Sequence, residues 1–288
     1  MPRFFGKYFL FITILALSGC ASVDFDYPKE PSYAIEDLQG TYLDGIIQPY
    51  EDANPGKSGF LVQPDGIDAL GARLAITGRA QKTIDAQYYL ISSDSIGRVF
   101  IKSLLDAADR GVRVRLLLDD ILTKGYDAGM AALDSHPNFE VRIFNPFAGR
   151  KWRVGDGVTN FSRINRRMHN KSFTVDNEIT IIGGRNIANE YFGAREDVNF
   201  GDLDVMAVGP IAKDVSNMFD QYWNHPKAAA VPSFAKMPDD PAAELEKMRI
   251  RLEDSMTAIR TTPYASVVSE DYERYLHSTM EIFTWADY

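Results

Sequence analysis

The chain has one cysteine in 288 residues, so no internal disulfide can brace it. Its four histidines are widely scattered, and with the lone thiol they make no metal-ligand cluster. Basic charge is also scarce. The 31 Lys and Arg stand against 40 Asp and Glu, a formal net charge of -9. A general nucleic-acid binder needs clustered cations for phosphates, so this balance disfavours one. A single basic patch runs against the trend, Arg-Ile-Asn-Arg-Arg at residues 163–167. The apolar run at residues 8–17 is too short to cross a bilayer comfortably as a helix. No segment has a second copy, which excludes a repeat architecture. What remains is 45% hydrophobic residues, enough for one large core or two small ones.

The N-terminus stands apart from that core. Arg3 and Lys7 precede the apolar run, which ends in Leu17, Ser18, Gly19 and Cys20. This is the layout of a secretory signal. Its last four residues resemble the lipobox of bacterial lipoproteins. The resemblance implies a signal peptide over residues 1–19, cleavage before Cys20 and lipidation of its thiol, which uses the only cysteine. Lipid chains there would hold the mature chain on a membrane surface of the bacterial cell envelope, facing the periplasm. Ala21 stands where an acidic residue would resemble the inner-membrane retention signal, so the outer membrane is favoured. Residues 20–60 are rich in Pro, Asp, Gly and Tyr without periodicity, and read as a tether and irregular lead-in.

From about residue 61 helices and strands alternate. Residues 66–80 carry Ile67, Leu70, Leu74 and Ile76 at helical spacing. Residues 82–90 read as a strand, 95–111 as an amphipathic helix stopped by Gly111, and 112–120 as a buried strand. A short helix at 126–135, strands at 139–147 and 202–209, and a helix at 211–225 continue the pattern. That helix places Val215, Met218, Phe219 and Trp223 on its inner face. The expected fold is α/β, a mixed and mostly parallel sheet with helices on both faces. Residues 226–288 read as a linker and a charged helical segment.

One segment carries chemistry. His169 and Lys171 lie two apart in a strand at 168–175, so they project on one side. An imidazole beside an ammonium suits an anionic substrate. The imidazole attacks or shuttles a proton, and the ammonium neutralises a non-bridging oxygen, as phosphoryl transfer requires. Asp176 and Asn177 fall at the expected turn, so Asp176 is either a turn-maker or a direct participant. A second strand at 179–182 returns to Gly183 and Gly184, where the backbone can approach a ligand or a neighbouring strand. Asn186 then lies near His169 with an amide to offer a phosphate oxygen, and Arg185 either does likewise or pairs with a surface acid.

The full string, His-x-Lys-x4-Asp-x6-Gly-Gly-x-Asn, resembles the motif of the phospholipase D superfamily at every spacing. Flanking segments at 84–90, 106–120, 161–177, 183–192 and 202–210 resemble its bacterial cardiolipin synthase branch. The resemblance implies catalytic roles for His169, Lys171 and Asp176, and phosphate binding by Lys171, Gly184 and Asn186. It implies attack by His169 on the phosphorus of a phospholipid of the phosphatidylglycerol class, a phosphohistidine intermediate, and no metal or cofactor. Asp202, with Asp204 as the alternative, is the candidate for orienting the imidazole. Members of this branch carry two copies of the motif that meet at one site, whereas this chain carries one. His225 and Lys227 repeat the first spacing, but Pro232 stands where Asp is wanted. Two arrangements supply the second copy: a missing C-terminal half that begins within residues 226–288, or a homodimer, as in single-motif phosphodiesterases and nucleases; with neither, the chain is an inactive truncated half that still holds phosphate.

Overall fold

The computed structural model describes residues 23–147, 163, 165–195, 197–262, 276 and 278–287. The signal-peptide and Cys20 expectations therefore lie outside the described residues. Helix α1 (Tyr42–Ala53) leads into β1 (Ser58–Gln63), α2 (Gly66–Arg79), β2 (Thr83–Tyr88), α3 (Ser95–Asp109) and β3 (Arg113–Asp119). There follow α4 (Asp127–Asp134), β4 (Phe139–Phe144), β5 (Ser172–Val175), β6 (Ile179–Gly183) and β7 (Asp204–Val208). The chain continues through α5 (Pro210–Trp223), β8 (Ala228–Ala230), α6 (Pro241–Ile259) and β9 (Thr284–Ala286).

The helices begin where local chemistry tells them to. Asp65, Asp94 and Asp240 accept from backbone N–H groups at the starts of α2, α3 and α6, satisfying donors that have no partner within the helix. The strands form one sheet in the order β8-β4-β3-β2-β5-β6-β7-β1-β9. Alternation along β3 sorts the core into two layers. Leu116 and Leu118 join the large cluster under α2, α3 and α4. Leu117, between them, joins Phe219, Trp223, Met168 and Ala228 beneath α5. Helices thus cover both faces, as the alternating pattern predicts. The balance of pairings differs. Only β2–β3 and β3–β4 are parallel, and the other neighbours are antiparallel. The reason is the β5–β6 hairpin with β7 returning beside it, where no crossover helix intervenes.

Three further expectations change. The lead-in is no loose tether, since β1 is an interior strand paired with both β7 and β9. At the other limit, β8 and β9 add residues beyond 225 to the same sheet. On α5, Met218 is exposed, and the buried face is Ala212, Ser216, Phe219, Asp220 and Trp223. Asp220 is polar there because α5 covers a buried guanidinium: Arg115 pairs with Asp85 at 2.6 Å and with Asp220 at 2.8 Å.

After a turn at 24–27, residues 28–38 lie across this α5 face as a strap without helix or strand, held by side chains from the sheet. The Arg115 guanidinium donates to the Ser32 carbonyl at 2.8 Å, Arg142 to the Glu30 carbonyl at 2.8 Å, and Arg113 to the Tyr33 carbonyl at 2.8 Å. Trp223 Nε1 donates to Ser32 Oγ, and the Ala34 N–H donates to Asp220. Lys29 reaches the carbonyls of His225, Pro226 and Ala228.

Candidate active site

The motif sits where β5 begins, at the C-terminal ends of the parallel strands. Ser172 pairs with Gln87 near the end of β2, so Lys171 and His169 lie beside the residues that leave β2, Tyr88 to Leu90. The regular strand starts only at Ser172, later than the spacing predicts, and the backbone before it is fixed from below. The Met168 N–H donates to Asp119 Oδ2 at 2.8 Å, and Gln87 Nε2 lies 3.0 Å from Met168 Sδ. Arg167 donates to Asp119 at 3.3 Å and to the Asn145 carbonyl at 2.9 Å.

From this frame the His169 ring projects into solvent. It meets the Tyr89 ring edge-on, with centroids 4.9 Å apart. Lys171 is buried, 7% exposed, and its ammonium stands 5.4 Å from the same Tyr89 ring. It donates to the His169 carbonyl at 2.7 Å. Burial pulls the Lys171 pKa down, and the charge of Asp202 pushes it back up. A preset cation thus lies behind an accessible imidazole, the layout needed to attack a phosphoryl group whose charge must be held.

Asn186 is buried. Its Oδ1 accepts from the Leu90 N–H at 3.2 Å, and its amide nitrogen donates to the Tyr191 hydroxyl at 2.9 Å. An amide nitrogen has two hydrogens, so the orientation set by these bonds leaves a second donor for an anion. Gly184 is a different matter. A Cβ there would lie 2.0 Å from an Asp202 carboxylate oxygen, and its N–H donates to the Leu203 carbonyl. The room that this glycine leaves is occupied by Asp202, which argues against a phosphate contact. A Cβ on Gly183 would likewise strike Asp204 at 2.1 Å. The glycine pair lets the strand carrying the two acids lie against it.

Those acids divide. Asp202 is partly buried and interacts electrostatically with Lys171; among the described residues it makes no hydrogen bond to His169. Asp204 is fully buried and pairs with Arg73 at 2.9 Å and Arg185 at 3.4 Å. Arg185 also donates to the carbonyls of Gln63, Pro64 and Tyr191, so it pairs with an interior acid and braces the fold.

Asp176 does not join His169 and Lys171. It lies beyond the far end of β5, in the turn to β6, with φ of +48° beside Asn177 at +50°. Its carboxylate accepts from the N–H groups of Gln81, Lys82 and Thr83 at 2.8–2.9 Å, which fixes the entry to β2. The turn-making role is what this geometry supports.

Tyr89 and Asp119 escape a reading of the motif alone. Each follows or ends a parallel strand at its C-terminal edge, the place where open α/β sheets gather ligands, and that position was the available signal. An open cavity of about 250 Å³ adjoins the site, lined by Ile67, Arg185, Tyr191, Phe200 and Asp202 among others.

A family model described as cardiolipin synthase, PLD-like domain, matches residues 74–223. Cardiolipin synthase C of Escherichia coli is 50% identical over 181 residues, 63% of this chain and 38% of that protein. A Helicobacter pylori protein of no stated function is 36% identical over 226 residues, 78% of this chain and 45% of that protein. The chain spans less than half the length of these curated relatives. Among solved structures, a phosphatidylserine synthase of Haemophilus influenzae superposes with a TM-score of 0.46 at 12% identity, over 75% of this chain and 48% of that one.

Proposed function

The chain belongs to the cardiolipin synthase, phospholipase D-like domain family, and on that premise we propose that it is a phosphatidyl-transfer half-site acting on phospholipids of the phosphatidylglycerol class. The carrying observation is the exposed His169 ring set beside Tyr89 in front of the buried Lys171 ammonium. In the first step an imidazole nitrogen bonds to phosphorus and the bond from phosphorus to the head-group oxygen breaks. The head-group alcohol leaves with a proton. In the second step an acceptor hydroxyl attacks phosphorus, the nitrogen–phosphorus bond breaks, and the hydroxyl proton is released. If the acceptor is the glycerol end of a second phosphatidylglycerol, cardiolipin forms; if it is water, the lipid is hydrolysed. Lys171 and Asn186 hold the non-bridging oxygens through both steps.

Proton delivery to the leaving alcohol needs a second acid, in this reading the histidine of a second motif. The relatives are more than twice as long as the stretch matched here, which leaves room in them for a second motif; a second copy of the chain is the other source. The nuclease alternative draws on the basic patch, which is largely engaged. Arg163 donates to Asn145 and Pro146, and Arg167 to Asp119 and Asn145. For localisation we retain a lipid anchor at Cys20 on the periplasmic side of the cell envelope, the outer membrane favoured; the signal-like N-terminus and lipobox resemblance support it. Among the described residues no helix is long and apolar enough to cross a membrane.

The test incubates residues 20–288 and the His169→Ala variant with phosphatidylglycerol vesicles, with and without phosphatidylethanolamine, and reads lipid products by mass spectrometry. Cardiolipin from the parent alone supports a site shared between copies. Absence of product from the folded parent, together with product from a chain extended by the second half, supports the half-enzyme. If neither forms a phosphatidyl product, the lipid-transfer reading fails.

A further inference from the structure

The cavity beside the site lies between residues 64–67, at the entry to α2, and residues 191–193 and 199–202 on the way to β7. Its volume is about 250 Å³, below the roughly 300–1,000 Å³ of pockets for drug-sized ligands, so it suits a head group and not a pair of acyl chains. Two of its walls reach the reacting end. The Tyr191 hydroxyl accepts from the Asn186 amide, and the charge of Asp202 acts on Lys171. A group bonded to a phosphoryl held by Lys171 and Asn186 therefore has this cavity beside it.

The lining offers hydrogen bonds of both kinds. Arg185, 2% exposed, gives guanidinium donors to the carbonyls of Gln63, Pro64 and Tyr191 and to Asp204. Among the described residues those bonds leave one Nη2 hydrogen over. The Tyr191 hydroxyl, an acceptor toward Asn186, keeps its own hydrogen to donate. For acceptors, Asp202 receives the Leu203 N–H at Oδ1, and Asp65 receives the Ile67 and Asp68 N–H groups at Oδ1. Among the described residues neither Oδ2 takes a hydrogen bond. Ile67 and Phe200 add apolar wall, with Phe200 edge-on to Tyr191 at 5.1 Å.

This lining sorts the possible occupants. Water leaves the apolar wall uncovered. A second phosphate meets two carboxylates. An ammonium has only donors and meets the Arg185 guanidinium. A polyol donates to the carboxylates, accepts from Arg185 and Tyr191, and lays its carbon-bound hydrogens against the aromatic wall.

We propose that the cavity seats the acceptor alcohol, the glycerol end of a second phosphatidylglycerol, and that Asp202 and Phe200 set this specificity. The proposal rests on the phosphatidyl-transfer reading and deepens it by assigning the acceptor its place. Holding the glycerol there keeps one hydroxyl beside the phosphorus at an effective concentration with which water competes poorly. The hydroxyl oxygen bonds to phosphorus, the bond from phosphorus to the His169 nitrogen breaks, and the hydroxyl proton is released. The entering alcohol takes the position that the first alcohol left, because the second step is the first run in reverse. A glycerol already esterified to phosphate therefore reports the same place.

The test reads binding, so it needs no second motif. Residues 20–288, with carbon-13 in the isoleucine methyls and histidine rings, are titrated with glycerol 3-phosphate, phosphoethanolamine and inorganic phosphate and followed by NMR. The Ile67 methyl reports the cavity, and the His169 ring reports the phosphoryl position. Glycerol 3-phosphate should move both signals with one affinity, and the other two probes should move His169 alone. Asp202→Asn and Phe200→Ala should each weaken the Ile67 response about 5- to 10-fold, the scale of one hydrogen bond. Phe200 is half exposed, so its truncation leaves the fold intact, and circular dichroism checks both variants. An Ile67 signal that stays still while His169 moves overturns the pocket and leaves the transfer reading standing. An equal Ile67 response to phosphoethanolamine overturns the polyol assignment. Unchanged affinity in both variants removes the roles given to Asp202 and Phe200. If no probe moves either signal, the transfer reading falls together with the pocket.

Discussion

The β5–β6 hairpin has two ends built to opposite specifications. At one, His169 stands in solvent with an aromatic edge beside it and a buried ammonium behind. At the other, Asp176 is fully buried and takes hydrogen bonds from three consecutive backbone N–H groups. Four strand residues separate them. The motif letters His, Lys and Asp belong to one family string, yet they divide into a reactive end and an anchoring end. A string of this kind marks chemistry and scaffold together, and geometry alone separates them.

The sharpest way to break the comparison is His169→Ala. Phosphatidyl transfer per folded protein should fall by about 10⁴-fold or more, as for loss of a covalent nucleophile, while stability stays within about 0.5 kcal/mol because the side chain is exposed. A product assay beside a urea titration reads both; a large stability loss would place His169 in the scaffold. Next is Lys171→Ala, expected to lower turnover by about 10²–10³-fold, the usual scale for one preset charge or donor. Lys171→Arg should rescue only part of it, because the ammonium fits a confined position between Tyr89 and the His169 carbonyl. Full rescue by Arg would contradict that confinement.

At the anchoring end the effects move from rate to stability. Asp176→Ala removes the acceptor for three N–H groups and should cost about 3 kcal/mol, with turnover per folded molecule kept within about 10-fold. A variant of normal stability and no activity would return Asp176 to the chemistry. The smallest effect concerns Glu178, which follows the turn. Burial first, then the charges of Glu51, Asp44 and Asp176, push its carboxyl up to about 7 against the opposing charge of Lys213. Between its ordinary 4.5 and 7 the folded chain keeps a proton that the unfolded chain has released. This contribution to stability is fully present below about 4.5 and is lost as pH rises through 7. Glu178→Gln should flatten the slope of stability against pH in that window, by about 1 kcal/mol or less after solvent screening. Titrations of parent and variant at pH 5 and 8 check it; parallel curves would count against it.

Much of the fold was legible because its elements obey short periods. The helices over 66–79, 95–109 and 241–259 and the strands over 83–88, 113–119 and 139–144 follow apolar spacing and local caps. The strap was not legible. Lys29, Ser32 and Ala34 are held by residues 186–199 positions away, and a carbonyl that accepts from a distant arginine leaves no period in its own segment. Within the site, the spacing of His169, Lys171 and Asn186 pointed to their gathering. The division of labour between Asp202 and Asp204 did not show, because it depends on which acid Arg73 and Arg185 reach through the core. Likewise Gly184 shows only that room is needed, and only the fold shows that Asp202 fills it.

The strap also sets an order in time. Its partners on α5 and β8 are made about 190 residues after it, so it cannot seat until the chain has passed residue 228. Until then residues 29–34 have none of these partners, so the first part of the chain to be made is among the last to be fixed in place.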